Sequence, residues 1–514
     1  MIFIKMGDSM PIFVINLITE VVMKKTAKRS LAALLAVIML FSCIGISVSA
    51  ESTGYEALRV NCTMYGDAQS QRGFTWYTEE NCDTTIQVVK AADFDGTFNN
   101  AQTFIGDVSV FQDYYCHKVV VSGLESGTTY NYRVGSSTKN VWSKTGKFVT
   151  DNGDKKFSFI AIADVQASSL ENFEQAALVM DAAMESNKKA EFYVNLGDFV
   201  NDCTNDEWNW WGQAFEDANT NLTIAPVAGN HDGNITNKLN IGWFANMFNL
   251  PAGDGAGNGV NGVYYSYDYG NAHFCVVNSN DMYPMVQAQR NWIINDLENS
   301  DAQWKFLLLH RAVYSAGKNI NKPDTLAMRD TIIEIVDQTD VDVVLSGHDH
   351  MYFRTKQVKG DAVVEDVTYV TEKFNGQSTT FAKNPDGAVY ILPSTAGTKR
   401  YTVNDNPIDP INECADVKLS TRDMGGCFSN IYIDGGKLVY EAYVVDDETQ
   451  EVTKIDEYAI KKTGKTETND DESKLPTDAL GTIDGSVANF FTEILGLLVT
   501  YIKLIPQLIA GLFA

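Results

Sequence analysis

The sequence predicts two folded domains in series: an all-β sandwich over residues 51–150, then an α/β layered domain over 155–462. Residues 55–150 hold only short alternating apolar runs punctuated by Gly, Asn, Asp and Ser, the texture of strands and tight turns. From Lys156 onward, strand-length apolar runs alternate with longer segments of helical period, as in strand–helix units around sheets buried on both faces. A chain of 514 residues with 45% hydrophobic content is also too long for one core and long enough for several domains.

In chain order, the start reads as an export signal. Met23 opens a basic "MKKTAKRS", followed by the apolar "LAALLAVIMLF" and the small residues "SVSA" ending at Ala50. Residues 1–22 then read as a start-site artefact and 23–50 as a signal peptide, which predicts a secreted or cell-surface protein. A lipid attached at Cys43 fits less well, because Phe41 suits that motif poorly.

The sandwich strands are "ALRVNCTMY", "GFTWYT", "TIQVVK", "CHKVVVSGL", "TYNYRVG" and "KTGKFVT", with Trp76 in the core. The stretch "GLESGTTYNYRV" resembles the fibronectin type III pattern, with Tyr130 as the corner tyrosine whose hydroxyl ties a loop to its own backbone. No cluster of catalytic residue types occurs there, so the domain reads as a spacer or docking module.

In the second domain "ENFEQAALVMDAAMESN" and "TLAMRDTIIEIVDQT" read as helices, and strands from "AVYILPSTAG" to "VTKIDEYAIKK" close it. Residues 463–486 read as an acidic linker and 487–514 as an apolar C-terminal helix. Glu493, Lys503 and Pro506 interrupt that helix, so contact with a membrane and docking on the protein itself or a partner both remain open.

A net charge of −26 without a basic stripe excludes a nucleic-acid partner. It also repels anionic substrates except where bound cations reverse the local field. Seven cysteines follow the signal, an odd number without CxxC spacing, which excludes a zinc framework. Most read as small buried residues, and Cys414 with Cys427 is a candidate pair around a loop.

Five apolar runs end in metal-ligand residue types. "FSFIAIAD" delivers Asp164, "EFYVNLGD" Asp198, "TIAPVAGNHD" Asn230 and His231, "WKFLLLH" His310, and "VDVVLSGHDH" His348 and His350. Ligands of open α/β sheets gather beyond the carboxyl ends of strands, so distant segments converge on one edge. The glycines before Asp198, Asn230 and His348 read as tight turns that re-aim the chain. Carboxylate, amide and imidazole suit divalent ions, and two ions close together need a bridging carboxylate, for which Asp198 is the candidate. His348 and His350 would each address a different ion.

The order D…GD…GNH…H…GHxH is similar to that of the calcineurin-like metallophosphoesterases. The preceding sandwich, with "YYSYDYGNAHFCVVNS" and "GHDHMYFRT", resembles the purple acid phosphatase branch over residues 55 to about 462. The resemblance implies a fibronectin type III-like sandwich followed by an α/β metallophosphoesterase domain, a β-sandwich core flanked by helices. It also implies one ion on Asp164, Asp198 and His350, a second on Asp198, Asn230, His310 and His348, and His231 as proton donor or substrate contact.

Three departures matter. The tyrosine that binds ferric iron in purple enzymes is replaced by Asn201, which implies a colourless protein. Gln166 stands where many non-purple members carry a histidine, either as a ligand through its amide oxygen or as a hydrogen-bonding residue behind the ligands. The histidines that many members carry after the fourth block are replaced by Lys318 and Asn319.

The implied cofactor is a pair of divalent ions, Mn, Fe, Zn or Ca, and the implied reaction is hydrolysis of a small phosphate monoester by metal-bound hydroxide. Phosphodiesterase action on nucleotides or lipid head groups, and a catalytically weak surface binding or adhesion protein, are the alternatives. Arg311, Arg354 and Asn201 are candidate substrate contacts, the arginines with salt bridges to nearby carboxylates as the plainer reading. His273, Trp208, Trp210 and Trp211 read as core, His117 as part of the sandwich, and "PAGDGAGNGVNG" as a mobile loop at the site rim.

Overall fold

The computed structural model describes residues 52–233, 242–251, 263–281, 287–404 and 411–463, which belong to one compact unit. The export signal, nearly all of the acidic linker, the apolar C-terminal segment and most of "PAGDGAGNGVNG" lie outside the described residues. The fold class is the one the sequence predicts, a β-sandwich followed by an α/β domain whose own core is two stacked sheets.

In the α/β domain, three parallel strands form the centre of the first sheet: Lys156–Ile162, Phe192–Asn195 and Thr223–Pro226. The second sheet holds the parallel strands Ala272–Val276, Trp304–Leu309, Val343–Ser346 and Val389–Pro393. Their near-continuous Val, Ile, Leu and Phe content fits strands covered on both faces. Between the sheets, Phe159 stacks on Phe192 at 4.9 Å and Phe274 on Phe306 at 4.7 Å. The two pairs meet edge-to-face at 5.4 to 5.7 Å, an arrangement favoured by the ring quadrupoles.

Helix Leu170–Ser186 covers the outer face, burying Phe173, Ala176, Ala177, Met180 and Ala183 at helical spacing. Ser169 caps it by accepting the Asn172 N–H. Helix Asn205–Ala214 begins with a capping box of Thr204 and Glu207 and buries Trp208 and Trp211 completely, while Trp210 packs partly buried.

The N-terminal sandwich is joined to this core more closely than a spacer requires. Strand Leu58–Met64 runs parallel to Thr223–Pro226, with Thr63 opposite Ile224, so one 12-stranded sheet passes through both domains. Arg72 locks the junction. It is completely buried and donates to the carbonyls of Ala68 (2.7 Å), Gln71 (2.6 Å) and Val149 (2.6 Å) and to the Thr223 hydroxyl (3.2 Å). Within the sandwich Trp76 is buried and stacked on His117, and the Tyr130 hydroxyl accepts the Glu125 N–H at 2.9 Å.

Two expectations change. His273 is buried, but it is an ion-paired imidazolium rather than core filler. Asp268 and Asp296 accept from its two nitrogens at 2.8 and 2.9 Å, and this pairing overcomes burial and pushes its pKa up to about 9. All seven described cysteines are free and buried, so Cys414 and Cys427 form no pair.

Replacing Arg72 by Met would leave one buried and two partly buried carbonyls without their donor, at a cost of about 1–3 kcal/mol for a buried group and less for the others. Arg72→Met is expected to lower the thermal unfolding midpoint by several degrees, whereas Lys144→Met, at an exposed ion pair on the same domain, leaves it unchanged. Differential scanning calorimetry of both variants checks this.

Candidate metal centre

The carboxyl ends of five strands deliver the candidate ligands to one place. Asp164 follows Lys156–Ile162, Asp198 follows Phe192–Asn195, and Asn230 and His231 follow Thr223–Pro226. His310 follows Trp304–Leu309, and His348 and His350 follow Val343–Ser346. Level register, Ile162 opposite Asn195 opposite Pro226 and Leu309 opposite Ser346, brings the loops out at one height.

The turns there are tight and strained. Asp164, Gln166, Asp198 and His348 all have positive φ, from 36° to 79°, a region that costs non-glycine residues about 1–3 kcal/mol each. Gly197 shares that left-handed geometry, at φ 95°. Gly229 and Gly347 do not; a Cβ there would meet the Asp198 backbone nitrogen at 2.1 Å or the Asp164 carboxylate at 2.7 Å. The reading of all three as turn glycines is therefore corrected for these two, where close approach of loops is the reason.

Hydrogen bonds to backbone carbonyls settle which ring nitrogens are protonated. A carbonyl only accepts, so the His310 Nδ1–H donates to the Leu196 oxygen at 2.8 Å. The His350 Nδ1–H likewise donates to the Lys399 carbonyl, and the His231 Nδ1–H to the Asn201 carbonyl. In neutral His310 the Nε2 then carries a lone pair. It faces Asn230 Oδ1 at 3.1 Å, Asp198 Oδ2 at 3.2 Å and His348 Nδ1 at 3.3 Å. His350 Nε2 faces Asp164 Oδ1 at 3.3 Å in the same way.

These atoms form two groups that share one residue. Asp198, His310 and His348 make the first, and Asp164, Asp198 and His350 the second, each with ligand atoms within 4.8 Å of one another and fully buried. The sharing gives Asp198 the position of a bridge. Converging lone pairs of this kind call for a cation, and a buried orphan agrees: Gln166 is 5% exposed and its Oε1 has no hydrogen-bond partner. The donor set of carboxylate, imidazole and amide oxygen fits divalent Mn, Fe, Zn or Ca.

Without a cation a proton fills the role. Burial alone would depress His310, but the Asp198 and Asp164 carboxylates overcome it and raise the imidazole to about 9. Burial would raise Asp198, but His310 and then His231 hold its carboxyl well below the usual range. His348 is driven far below its ordinary value by burial, then by His310 and Arg311.

His231 lies beside the centre, its backbone N–H donating to Asp198 Oδ1 at 2.7 Å. Arg311 is close enough to depress His348. Asn201 contributes its carbonyl to His231, while its side chain donates to Asp202 at 2.9 Å. Arg354 is not brought to the site as a substrate contact. It is held by Asp456 at 2.6 and 3.1 Å and by Asp416 at 2.7 Å, under the ring of Tyr458, so its donors are already spent.

The sequence reading passed over Asp232, the last residue of "GNHD". It is completely buried and accepts the backbone N–H groups of Asp198 (2.9 Å), Phe199 (2.8 Å) and Gly229 (2.8 Å). It thereby clamps the loop of the bridging aspartate to the loop of Asn230. The only signal in the sequence was an acid directly after two ligand types. A cavity of about 660 Å³ lined by Phe148, Met184, Asn187 and Leu222 among others lies between the sandwich and the helices, and none of the ligand residues lines it.

The calcineurin-like phosphoesterase family matches residues 157–352, and the purple acid phosphatase N-terminal domain matches 57–150. "Purple acid phosphatase 23" of Arabidopsis thaliana is 23% identical over 47% of this chain and 58% of its own length. "Purple acid phosphatase 15" of the same plant is 21% identical over 60% of this chain and 59% of its own. The chain thus spans under two thirds of the length of these relatives. The solved purple acid phosphatase PPD1 from yellow lupin (Lupinus luteus) seeds shares the fold, with a TM-score of 0.64 at 15% identity, covering 83% of this chain and 78% of that one.

Two outcomes are expected. Metal binding must displace the His310 proton below a pH of about 9, so affinity for added Mn or Zn should strengthen as pH rises from 6 to 8, by up to about tenfold per unit, with proton release. Calorimetric titration in buffers of different ionisation enthalpy measures both. Asp232→Ala should weaken metal affinity about 10- to 100-fold with an unchanged far-ultraviolet circular dichroism spectrum, the usual effect of removing a residue that orients ligands.

Proposed function

We propose that this chain, whose residues 157–352 match the calcineurin-like phosphoesterase family and 57–150 the purple acid phosphatase N-terminal domain, is an exported dinuclear-metal enzyme that hydrolyses phosphate monoesters. The observation that supports it most is the convergence of Asp198 Oδ2, Asn230 Oδ1 and His348 Nδ1 within 3.3 Å of His310 Nε2 in a buried site. Asp198, Asn230, His310 and His348 would hold one ion. Asp164, Asp198 and His350 would hold the other, with the Gln166 amide oxygen as an additional donor.

Two bound divalent ions supply Lewis-acid polarisation of a phosphate and acidify water toward neutrality. The chain's own residues do the rest. The carbonyls of Leu196 and Lys399 hold the imidazoles in the ligating tautomer, so no reorganisation is needed when the site fills. The Asn201 carbonyl orients the His231 ring by accepting from Nδ1–H, and in the imidazolium form Nε2–H would be the proton donor to a departing alkoxide. Arg311 adds positive charge beside His348, where a phosphate oxygen would gather. Export rests on the "MKKTAKRS…SVSA" signal, and the apolar segment 487–514 is the candidate for membrane or self-contact.

The test is turnover of chromogenic mono- and diesters by purified protein, stripped with chelator and resupplied with Mn, Zn, Fe or Ca. Monoester hydrolysis should return with at least one metal, disappear in Asp198→Asn, and proceed without a visible tyrosinate–iron absorption band. Diester-only turnover would overturn the monoesterase reading in favour of a phosphodiesterase. No turnover with any metal would leave a binding protein.

A further inference from the structure

Beside the ligands lies a stack that metal binding does not require. The Lys318 ammonium sits 3.7 Å from the centroid of the Tyr401 ring. Tyr401 in turn stacks on the ligand His350, at 4.4 Å with 10° between planes. Both segments are strapped to the GHDH motif. The Ser315 hydroxyl and the Asn319 N–H donate to the two Asp349 oxygens at 2.8 and 3.2 Å, which pins the loop carrying Lys318. The Tyr401 N–H donates to the His350 carbonyl at 2.9 Å, and the Asn404 N–H to that of Ala316 at 2.7 Å. Two stacking distances therefore separate the ammonium from the His350 ring.

The position is unusual for a lysine in so acidic a chain. Arg354 and Arg400 are committed to Asp456, Asp416 and Asp447, whereas Lys318 meets a ring and no carboxylate among the described residues. A cation–π contact at an exposed site is weak enough to release its ammonium to a stronger anion. An incoming phosphate is such an anion, and a site built on Asp164 and Asp198 in a chain of net charge −26 needs added positive charge to admit it.

We propose that Lys318, poised on Tyr401, is the specificity-determining cation of this centre: its ammonium receives a terminal oxygen of the phosphate and favours dianionic monoesters over monoanionic diesters. The proposal rests on the phosphoesterase reading and names the substrate class within it. A monoester carries close to two charges at neutral pH and offers three terminal oxygens, while a diester carries one charge and offers two. With the ions and Arg311 engaging part of the phosphate, the remaining terminal oxygen is the one a diester lacks.

The experiment compares metal-loaded wild type, Lys318→Ala, Lys318→Arg and Tyr401→Leu. In Lys318→Ala the KM for monoester and the inhibition constant of inorganic phosphate should rise about 10- to 100-fold, the scale of one charge-assisted contact. Diester kcat/KM should change less than about threefold, and bound metal should stay constant. Lys318→Arg should recover most of the loss, and Tyr401→Leu should shift the same constants in the same direction by less.

An unchanged monoester-to-diester ratio with unchanged phosphate inhibition would overturn the proposal. So would loss of metal with both substrates falling together, which marks Lys318 as a prop for His350. Calorimetric binding of inorganic phosphate to the metal-loaded proteins separates the two readings. If wild type turns nothing over, the phosphoesterase reading fails, yet phosphate binding that depends on Lys318 would still establish the cation's role.

Discussion

The architecture depends on one electrostatic constraint: two carboxylates and several further electron-pair donors are gathered in one buried place. The Asp164 and Asp198 ligand oxygens lie within 4.8 Å of each other in a buried site. At an effective dielectric near 20, two unit charges at that separation repel by roughly 3–4 kcal/mol. The four non-glycine residues at positive φ add about 1–3 kcal/mol apiece. Together these approach the whole stability of an ordinary domain, about 5–15 kcal/mol. A raised imidazolium at His310 relieves part of it, and bound cations would relieve more, so ligand binding and stability are one linked equilibrium here.

The scaffold explains how such a site persists. Two sheets clamped by the Phe159, Phe192, Phe274 and Phe306 cluster hold the strand ends at one level, so loops far apart in sequence need only a few residues to meet. Small residues then become a matter of space rather than flexibility: at Gly229 and Gly347 neighbouring loops leave no volume for a Cβ. The Asp232 clamp does by hydrogen bonding what the glycines do by packing, fixing the bridging aspartate against the asparagine loop. A rigid cage of donors costs little reorganisation when it fills, which is the condition for electrostatic preorganisation.

Much of this was legible in the sequence because it is written in local pattern. Apolar runs ending in Asp, Asn and His showed which strands exist and which ends matter, and the rarity of histidine made their clustering informative. Less legible was everything set by backbone atoms or by partners distant in the chain. The carbonyls of Leu196, Lys399 and Asn201 carry no residue signature, yet they decide the imidazole tautomers. Arg354 looked like a phosphate contact from its place after "GHDH" and is occupied instead by Asp456, about a hundred residues later. His273 looked like core because its neighbours are apolar, and the two aspartates that charge it come from the preceding strand and a following helix.

The junction of the two domains follows the same logic. Strand Leu58–Met64 carries the same alternation it would have in a free sandwich, so nothing in it announces that its edge pairs with Thr223–Pro226. Pairing there covers an exposed edge of the α/β sheet and removes an aggregation hazard. It also ties the sandwich to the strand that leads directly into Asn230, His231 and Asp232. A domain that holds no catalytic residue is thereby built into the support of one. Displacing it would unsettle the GNHD loop before it unsettled the remainder of the core, because Thr223 accepts from Arg72 only a few residues before the loop begins.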